Sequence, residues 1–151
     1  MDIQINETDY AVSLFIIMEN KIALSELSRI DCIFEDYADM IKGKENLKLI
    51  KEELKNVNAV FYFSRLNVPE KIRGRGIGKE LMEKTIEFCE KKNYMLINTV
   101  NPYGEMNLQE LNNFYKKSGM KLLNEDGLLI YSKNLNSKKI NNLTTKPKNK
   151  L

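Results

Sequence analysis

The apolar residues of this chain occur in short runs, some with the period of a strand and some with the period of a helix. Residues 11–18 are apolar and rich in β-forming types, and residues 22–27 alternate after a polar turn at 19–21, which predicts a hairpin. Residues 1–6 alternate weakly and predict an edge strand. Residues 31–37 predict a third strand or an irregular continuation.

Residues 45–56 predict a helix, because apolar side chains recur there at helical spacing. The residues that set this spacing are Leu47, Ile50, Leu54 and Val57. Residues 59–68 predict a central strand, since its first half is apolar on both faces. One face of that strand is expected to carry Val60, Tyr62, Ser64, Leu66 and Val68, and the other Phe61 and Phe63.

A helix is predicted from Gly76 to about residue 93, a buried strand over 95–100, an amphipathic helix over 108–117 and a hairpin from 121 to 132. After about residue 134, polar residues and lysine dominate without periodicity. The order of elements predicts one α+β domain, residues 1–134, in which a mixed sheet carries helices on its faces. Residues 135–151 are expected to form a basic, disordered tail.

The distribution of charge separates the tail from the body of the protein. The formal net charge is +3, but five lysines and no acid lie between residues 137 and 151. Without those lysines, 19 basic residues remain against 21 acidic ones, so the body carries about −2. A basic tail can contact nucleic acid, but this balance makes nucleic-acid binding an unlikely function and favours a solvated end.

Several classes of protein are disfavoured by residue usage. The longest apolar run, residues 12–18, is too short for a membrane span, and no basic segment opens a secretory signal. Cys32 and Cys89 match no metal spacing and are expected to be reduced thiols of a cytoplasmic protein. The chain has no histidine, which excludes a Ser-His-Asp or Cys-His nucleophile and a His-ligated metal, and no metal is predicted.

The turn at residues 73–79 is the strongest candidate for ligand binding. It holds three glycines in five residues, interleaved with Arg73, Arg75 and Lys79, between a predicted strand and a predicted helix. Glycine allows close approach of the backbone, and a helix N-terminus offers unpaired N–H groups to an anion. The spacing fits neither a Walker A loop nor a dinucleotide-binding fingerprint. A phosphate-bearing ligand is therefore expected here.

A resemblance to the GNAT superfamily of N-acetyltransferases rests on two segments. The first, Arg73-Gly74-Arg75-Gly76-Ile77-Gly78, resembles the signature Arg/Gln-x-x-Gly-x-Gly/Ala, and residues 66–68 and Leu81 fit its flanks. The second, residues 111–120, resembles the signature Phe/Leu-Tyr-x-Lys-x-Gly-Phe, with Met120 where Phe is usual. The resemblance covers residues 59–133, and the first helices of the family are not evident in the N-terminal part.

This resemblance implies a mixed sheet splayed between strands 59–68 and 95–100, with the coenzyme A thioester in the gap. Its implied cofactor-binding residues are Leu66, Asn67, Val68, Arg73, Gly74, Arg75, Gly76, Ile77, Gly78, Lys79, Asn107, Phe114, Tyr115 and Lys117. The pyrophosphate is expected on the N–H groups of residues 73–79. The backbone N–H of Val68 is expected to polarise the thioester carbonyl, and Tyr115 to act as general acid on the thiolate.

The expected reaction is direct acetyl transfer from acetyl-CoA to a primary amine of a small molecule or a protein. The sequence does not identify the general base, for which the candidates are Ser64, Glu70 and the acidic residues Asp31, Glu35, Asp36 and Asp39. Residues 101–104 are a plain turn or a wall of the acceptor site. The alternatives are a non-catalytic acyl-CoA-binding module and a nucleic-acid-associated protein that works through its tail. A homodimer is left open, as is the identity of the amine.

Overall fold

A computed structural model describes residues 2–102 and 104–135 of the chain. Seven strands form one mixed sheet in the order β1-β2-β3-β4-β5-β7-β6, and helices flank it, as the predicted α+β fold requires. The strands are β1 Gln4–Glu7, β2 Ala11–Met18, β3 Lys21–Arg29, β4 Ala59–Asn67, β5 Tyr94–Thr99, β6 Lys121–Asn124 and β7 Leu128–Tyr131. The helices are α1 Phe34–Tyr37, α2 Lys44–Glu53, α3 Ile77–Lys92 and α4 Leu108–Lys117.

The N-terminal hairpin agrees closely with its prediction. Strands β2 and β3 pair from Ala11↔Ser28 to Met18↔Lys21, so Glu19 and Asn20 form a two-residue turn. Both residues have positive φ angles, 51° and 61°, as expected for the turn type that matches the twist of a hairpin. Strand β1 lies at the edge of the sheet.

The segment after β3 is helical, so of the two alternatives predicted for residues 31–37 the third strand was wrong, and the continuation of the chain consists of short helical turns. It consists of a 3₁₀ turn Asp31–Ile33, helix α1 and a second 3₁₀ turn Ala38–Met40. The Asp31 carboxylate accepts hydrogen bonds from Arg29 Nε at 2.8 Å and from the Val60 N–H at 3.1 Å. Burial acts to raise the pKa of Asp31, but these hydrogen bonds and the Arg29 charge outweigh it and hold that pKa below its usual value.

Two apolar layers cover the two faces of the sheet. Helices α3 and α4 pack on one face, with Leu81 and Met82 fully buried. The segment around α1 and helix α2 cover the other face over β4, β5 and β7. Helix α2 fits the prediction, since Ile50 is buried and the other three apolar positions of its pattern pack against that layer. No helix within residues 2–102 and 104–135 has the length and apolar character of a membrane span.

The strands β4 and β5 part midway along their length. They pair in parallel from Ala59↔Tyr94 to Tyr62↔Ile97. Strand β4 then continues for five more residues to Asn67 and β5 for two more to Thr99, without further pairs between them. This opening is the splay that the resemblance implied between the two strands.

A bulge in β4 changes which residues face which layer. Phe63 pairs with Leu27 and Arg65 with Glu26, so Ser64 has no opposite residue on β3. Because a bulge inserts one residue, side chains after it point to the opposite face from that expected by alternation. Leu66 and Val68 accordingly pack with Phe61 and Phe63 in the α3 layer, and their predicted placement beside Val60 and Tyr62 was wrong.

Candidate active site

The parted strands form one side of a cleft with a volume of about 540 Å³. Strand β4 and the chain after it contribute residues 62–68 and Arg73 to its lining. Strand β5 and the following loop contribute residues 98–101 and 104–106. Helix α4 adds Leu111, Phe114 and Tyr115. The cleft thus joins the segments that carry both sequence signatures.

The glycine turn leads from β4 into α3 at one end of this cleft. Gly76 is the N-cap of α3 with φ 77° and ψ 13°, a left-handed conformation that glycine adopts without strain. Because glycine has no side chain, the first N–H groups of α3 lack the side-chain cap that many helices have. A side chain at Gly78 would meet Val68 Cγ2 at 3.6 Å and Phe114 Cζ at 3.8 Å. The helix start therefore presents unpaired N–H groups, and the close approach at Gly78 holds it against β4 and α4.

The three cations of the turn lie in different surroundings. Arg73 lines the cleft and donates a hydrogen bond from Nε to the Val68 carbonyl oxygen at 2.7 Å. Arg75 instead forms an ion pair with Glu19 in the turn of the β2–β3 hairpin. Lys79 is exposed, 3.8 Å from Glu83 on the same helix. Only Arg73 of the three contributes to the cleft lining.

Helix α4 supplies the aromatic residues of the cleft. Its N-terminus is fixed by a capping box in which Asn107 Oδ1 accepts from the Glu110 N–H and the Glu110 carboxylate accepts from the Asn107 N–H. Asn107, one of the cofactor-binding residues that the resemblance implied, does not line the cleft and serves as this cap. Lys117 is exposed in the last turn.

Tyr115 lies deep in the cleft. It is 9% exposed, and its ring lies 5.7 Å from the ring of Phe63 on β4 and 5.1 Å from that of Phe114. The contact with Phe63 places Tyr115 beside the point where β4 and β5 part, since Phe63 follows the last paired residue, Tyr62. Val68, the other predicted catalytic residue, lines the cleft nearer the glycine turn, where its carbonyl accepts from Arg73.

The floor of the cleft is the place where β4 and β5 part, at Tyr62 and Phe63 on β4 and at Asn98 and Thr99 on β5. The polar groups there were not predicted from the sequence as functional residues. Asn98 on β5 is 4% exposed, and its Nδ2 atom has no hydrogen-bond partner within the described protein. Tyr62 and Thr99 join the two strands through a hydrogen bond of 2.5 Å between their hydroxyl groups. The available signal was polarity, because Asn98 and Thr99 interrupt a buried apolar strand.

Residues 46–120, about half of the chain, match the family model described as the Acetyltransferase (GNAT) family. This segment includes β4, the glycine turn, α3, β5 and α4, which together build the cleft. The chain belongs to the GNAT family of acetyltransferases. A search of curated proteins found no match. Membership of the GNAT family supports acyl-CoA-dependent acetyltransferase activity in general.

Coenzyme A fits this GNAT cleft on physical grounds. The uncapped start of α3 suits a pyrophosphate, and the gap beyond Tyr62↔Ile97 leaves strand edges that an extended chain of amides can pair with. Arg73 lines the cleft three residues before the N-cap Gly76 and adds positive charge. The side chains of residues 66–68 and Phe114 line the path between the turn and Tyr115.

The candidate bases of the GNAT site fall into two groups. Asp31 is bonded within the fold, Glu35 lies 3.7 Å from Lys51, and neither they nor Asp36, Asp39 and Glu70 line the cleft. Ser64 lines it, and its Oγ lies 2.7 Å from Ser28 Oγ. Among described lining residues, Glu105 alone carries an acid, and it was not among the predicted candidates. Asn101 and Gly104 also line the cleft, while Tyr103 is outside the described residues.

Proposed function

We propose that this protein is an acetyl-CoA-dependent N-acetyltransferase that transfers the acetyl group directly to a primary amine, of a small molecule or a protein. The observation that carries the proposal is the meeting of Tyr115 with the parted strands β4 and β5 in one cleft, next to an uncapped helix N-terminus. The cytoplasmic location expected from the sequence is part of this proposal.

Binding of the acyl donor would use backbone groups more than side chains. Of the predicted stretch 73–79, the N–H groups of residues 74–79 would hold the pyrophosphate, because the Arg73 N–H already donates to the Glu70 carbonyl oxygen at 3.2 Å. The charge of Arg73 would assist them. The pantetheine amides would pair with the edge of β4 beyond Tyr62, where β5 no longer does. This use of backbone explains why Arg75 and Lys79 belong to the turn without lining the cleft.

The chemistry would need a donor on the thioester oxygen, an acid for the thiolate and a base for the amine. The backbone N–H of Val68 is the predicted donor, and Tyr115 the acid. As the amine nitrogen bonds to the acetyl carbon, the carbon–sulfur bond breaks, the amine loses a proton and the thiolate takes one from Tyr115. Glu105 is suitably charged to attract a cationic amine into the cleft and accept its proton.

A covalent acetyl-cysteine route has little support. The chain has no histidine to activate a thiol. Burial raises the pKa of the Cys89 thiol to about 12, so that this group stays protonated at neutral pH and is a poor nucleophile. Direct transfer in a complex of enzyme, acetyl-CoA and amine is therefore favoured over a two-step mechanism.

The test is the variant Tyr115→Phe, assayed by thiol release from acetyl-CoA over a panel of primary amines. We expect kcat to fall by about 100-fold, the usual size of a general acid's contribution, because the phenol hydroxyl supplies the proton. The affinity for acetyl-CoA, measured by calorimetry, should change by less than about threefold, since the aromatic ring remains.

Two outcomes would contradict the proposal in different ways. An unchanged kcat in Tyr115→Phe would remove Tyr115 from the mechanism while leaving the activity in place. Binding of acetyl-CoA by the unmodified protein without thiol release for any amine or lysine-bearing peptide would support a non-catalytic acyl-CoA-binding module instead.

A further inference from the structure

Asn98 lies in a position where an unpaired amide is costly. It is 4% exposed within strand β5, and its Nδ2 has no hydrogen-bond partner within the described protein. A buried donor without a partner destabilises a fold, so such a group calls for an explanation. The flanking residues Leu96 and Ile97 are buried and apolar, and an apolar residue would suit the strand equally well.

The sheet register places Asn98 beside the proposed reacting groups. The last β4–β5 pair is Tyr62↔Ile97, so Phe63 and Asn98 are the first residues on either side of the opening. Alternation along β5 directs Asn98 to the same face as Leu96, the face that α3 and α4 cover. The ring of Tyr115 lies on this face, 5.7 Å from that of Phe63, and all three residues line the cleft.

We propose that Asn98 is a catalytic residue that donates a hydrogen bond from its side-chain amide to the thioester carbonyl oxygen. This inference rests on the proposed function, because it requires an acyl thioester in the cleft. Tyr115 is the proposed proton donor to the sulfur, and the carbonyl carbon is bonded directly to that sulfur. A donor beside Tyr115 and Phe63 is thus at the depth where the carbonyl oxygen lies.

The side chain of Asn98 can make this bond with little rearrangement. Its Nδ2 is not in contact with solvent, but χ2 of asparagine is a soft torsion, so a small rotation turns the amide N–H toward the cleft. As the amine attacks, negative charge grows on the carbonyl oxygen, and a fixed donor stabilises that charge more than it stabilises the resting thioester. Val68 lies five residues beyond Phe63 along the extended chain, too far for its N–H and the Asn98 amide to reach one carbonyl oxygen, so Asn98 takes the place of Val68 as the donor.

The decisive experiment compares the full-length protein with Asn98→Leu, a variant of similar volume without a donor. Bound [1-¹³C]acetyl-CoA is observed by isotope-edited infrared spectroscopy, in which a hydrogen bond lowers the carbonyl stretching frequency. We expect this frequency to rise in Asn98→Leu. The affinity for acetyl-CoA should fall about fivefold, as for one lost hydrogen bond, while the affinity for free coenzyme A stays within about twofold.

The turnover of Asn98→Leu should also fall, by about 100-fold with an amine that the unmodified protein accepts, as for the loss of one oxyanion donor. Asn112→Leu is the matched control, because Asn112 is also buried, its Oδ1 also lacks a partner within residues 2–102 and 104–135, and it does not line the cleft. It should leave the carbonyl frequency of bound acetyl-CoA unchanged.

The outcomes separate this inference from the proposed function. An unchanged carbonyl frequency in Asn98→Leu, with normal acetyl-CoA binding, overturns the role of Asn98 alone, and a water at Asn98 would give this result. A higher KM for the amine with an unchanged frequency also overturns it and moves Asn98 to the acceptor site. Failure of the unmodified protein to bind acetyl-CoA overturns both proposals.

Discussion

The two ends of the cleft are built in different ways. At the glycine turn, residues close together in sequence form the site: Gly76 ends a left-handed turn, α3 begins at the next residue, and Arg73 bonds back to Val68. At the floor, the site needs three strands in register, because Phe63 is positioned by pairing with Leu27 and Asn98 by the β4–β5 opening. Local chemistry makes the first end, and long-range pairing makes the second.

This difference is also visible in how polar groups are satisfied. Near the turn and at the start of α4, charged and amide side chains have partners, as in the Arg75–Glu19 pair and the Asn107–Glu110 capping box. At the floor, the amide nitrogen of Asn98 has no hydrogen-bond partner among the residues that the structure describes. The contrast agrees with the two proposals, in which the turn holds the pyrophosphate of the acyl donor and the floor is arranged around the reacting carbonyl.

Filling the space beside Gly78, at the glycine-turn end of the cleft, should have the largest effect on acetyl-CoA binding. In Gly78→Leu, the new side chain must extend into Val68, Leu66 and Phe114, whose atoms lie 3.6–3.9 Å from the position of a Cβ. Because Val68, Leu66 and Phe114 line the cleft, their displacement by the leucine should distort the cleft, and we expect about 100-fold weaker acetyl-CoA binding by calorimetry.

Gly78→Ala is the control for this prediction, because a methyl group at 3.6–3.9 Å makes ordinary contacts. It should bind acetyl-CoA within about threefold of the unmodified protein. Equal losses in both variants would mean that the backbone of the turn, and not the space above Gly78, is what the substitution disturbs. Thermal unfolding of each variant identifies a loss of binding caused by a loss of folding.

The same division explains what could be predicted from the sequence. The glycine turn, α3 and α4 carry local signals, namely glycines at fixed spacing, helical periodicity and capping residues, and each was predicted near its observed bounds. The α+β fold and the family followed from them. Whether residues 73–79, Val68 and Tyr115 act on coenzyme A stays a prediction.

The floor could not be predicted because its geometry depends on distant pairing. The bulge at Ser64 exists only relative to β3, so alternation alone put Leu66 and Val68 on the wrong face. The helical turns of residues 31–40 depend on the bonds from Arg29 and Val60 to Asp31, and β propensity alone indicated a strand there. Asn98 gave only the weak signal of a polar residue in an apolar strand.

The two arginines of the turn provide a sharper test of the turn end. Arg73 lines the cleft, whereas Arg75 is paired with Glu19 outside it. Arg73→Ala should weaken acetyl-CoA binding about tenfold, by loss of a charged contact to phosphate, and this loss should shrink at high salt. Arg75→Ala should change the affinity by less than about twofold.

The arginine pair also tests the assignment of roles within the signature. Calorimetry at low and high salt, with both variants measured side by side, gives the comparison. If Arg75→Ala were the more damaging of the two, the ion pair with Glu19 would have to open on binding, and the turn would be less preformed than its hydrogen bonds indicate.

The smallest expected effect is a pH-dependent loss of stability when Asp31, which supports the start of β4, is changed. Asp31 bonds the Val60 N–H at the start of β4, and its pKa is lowered in the folded state. Asp31→Asn keeps an oxygen acceptor but loses the charge, so the free energy of unfolding at pH 7 should fall by about 1 kcal/mol. Acetyl-CoA binding should be unaffected, because Asp31 does not line the cleft.

The sign of the pH dependence follows from linkage. Because the folded state lowers the pKa of Asp31, the unfolded chain binds this proton more readily, and the stabilisation is complete above the unfolded pKa. It is lost as the pH falls through the folded pKa, so urea unfolding of the two proteins should converge in acid. A constant difference down to the lowest pH at which the protein folds would mean that Asp31 supports β4 through shape and neutral hydrogen bonding alone.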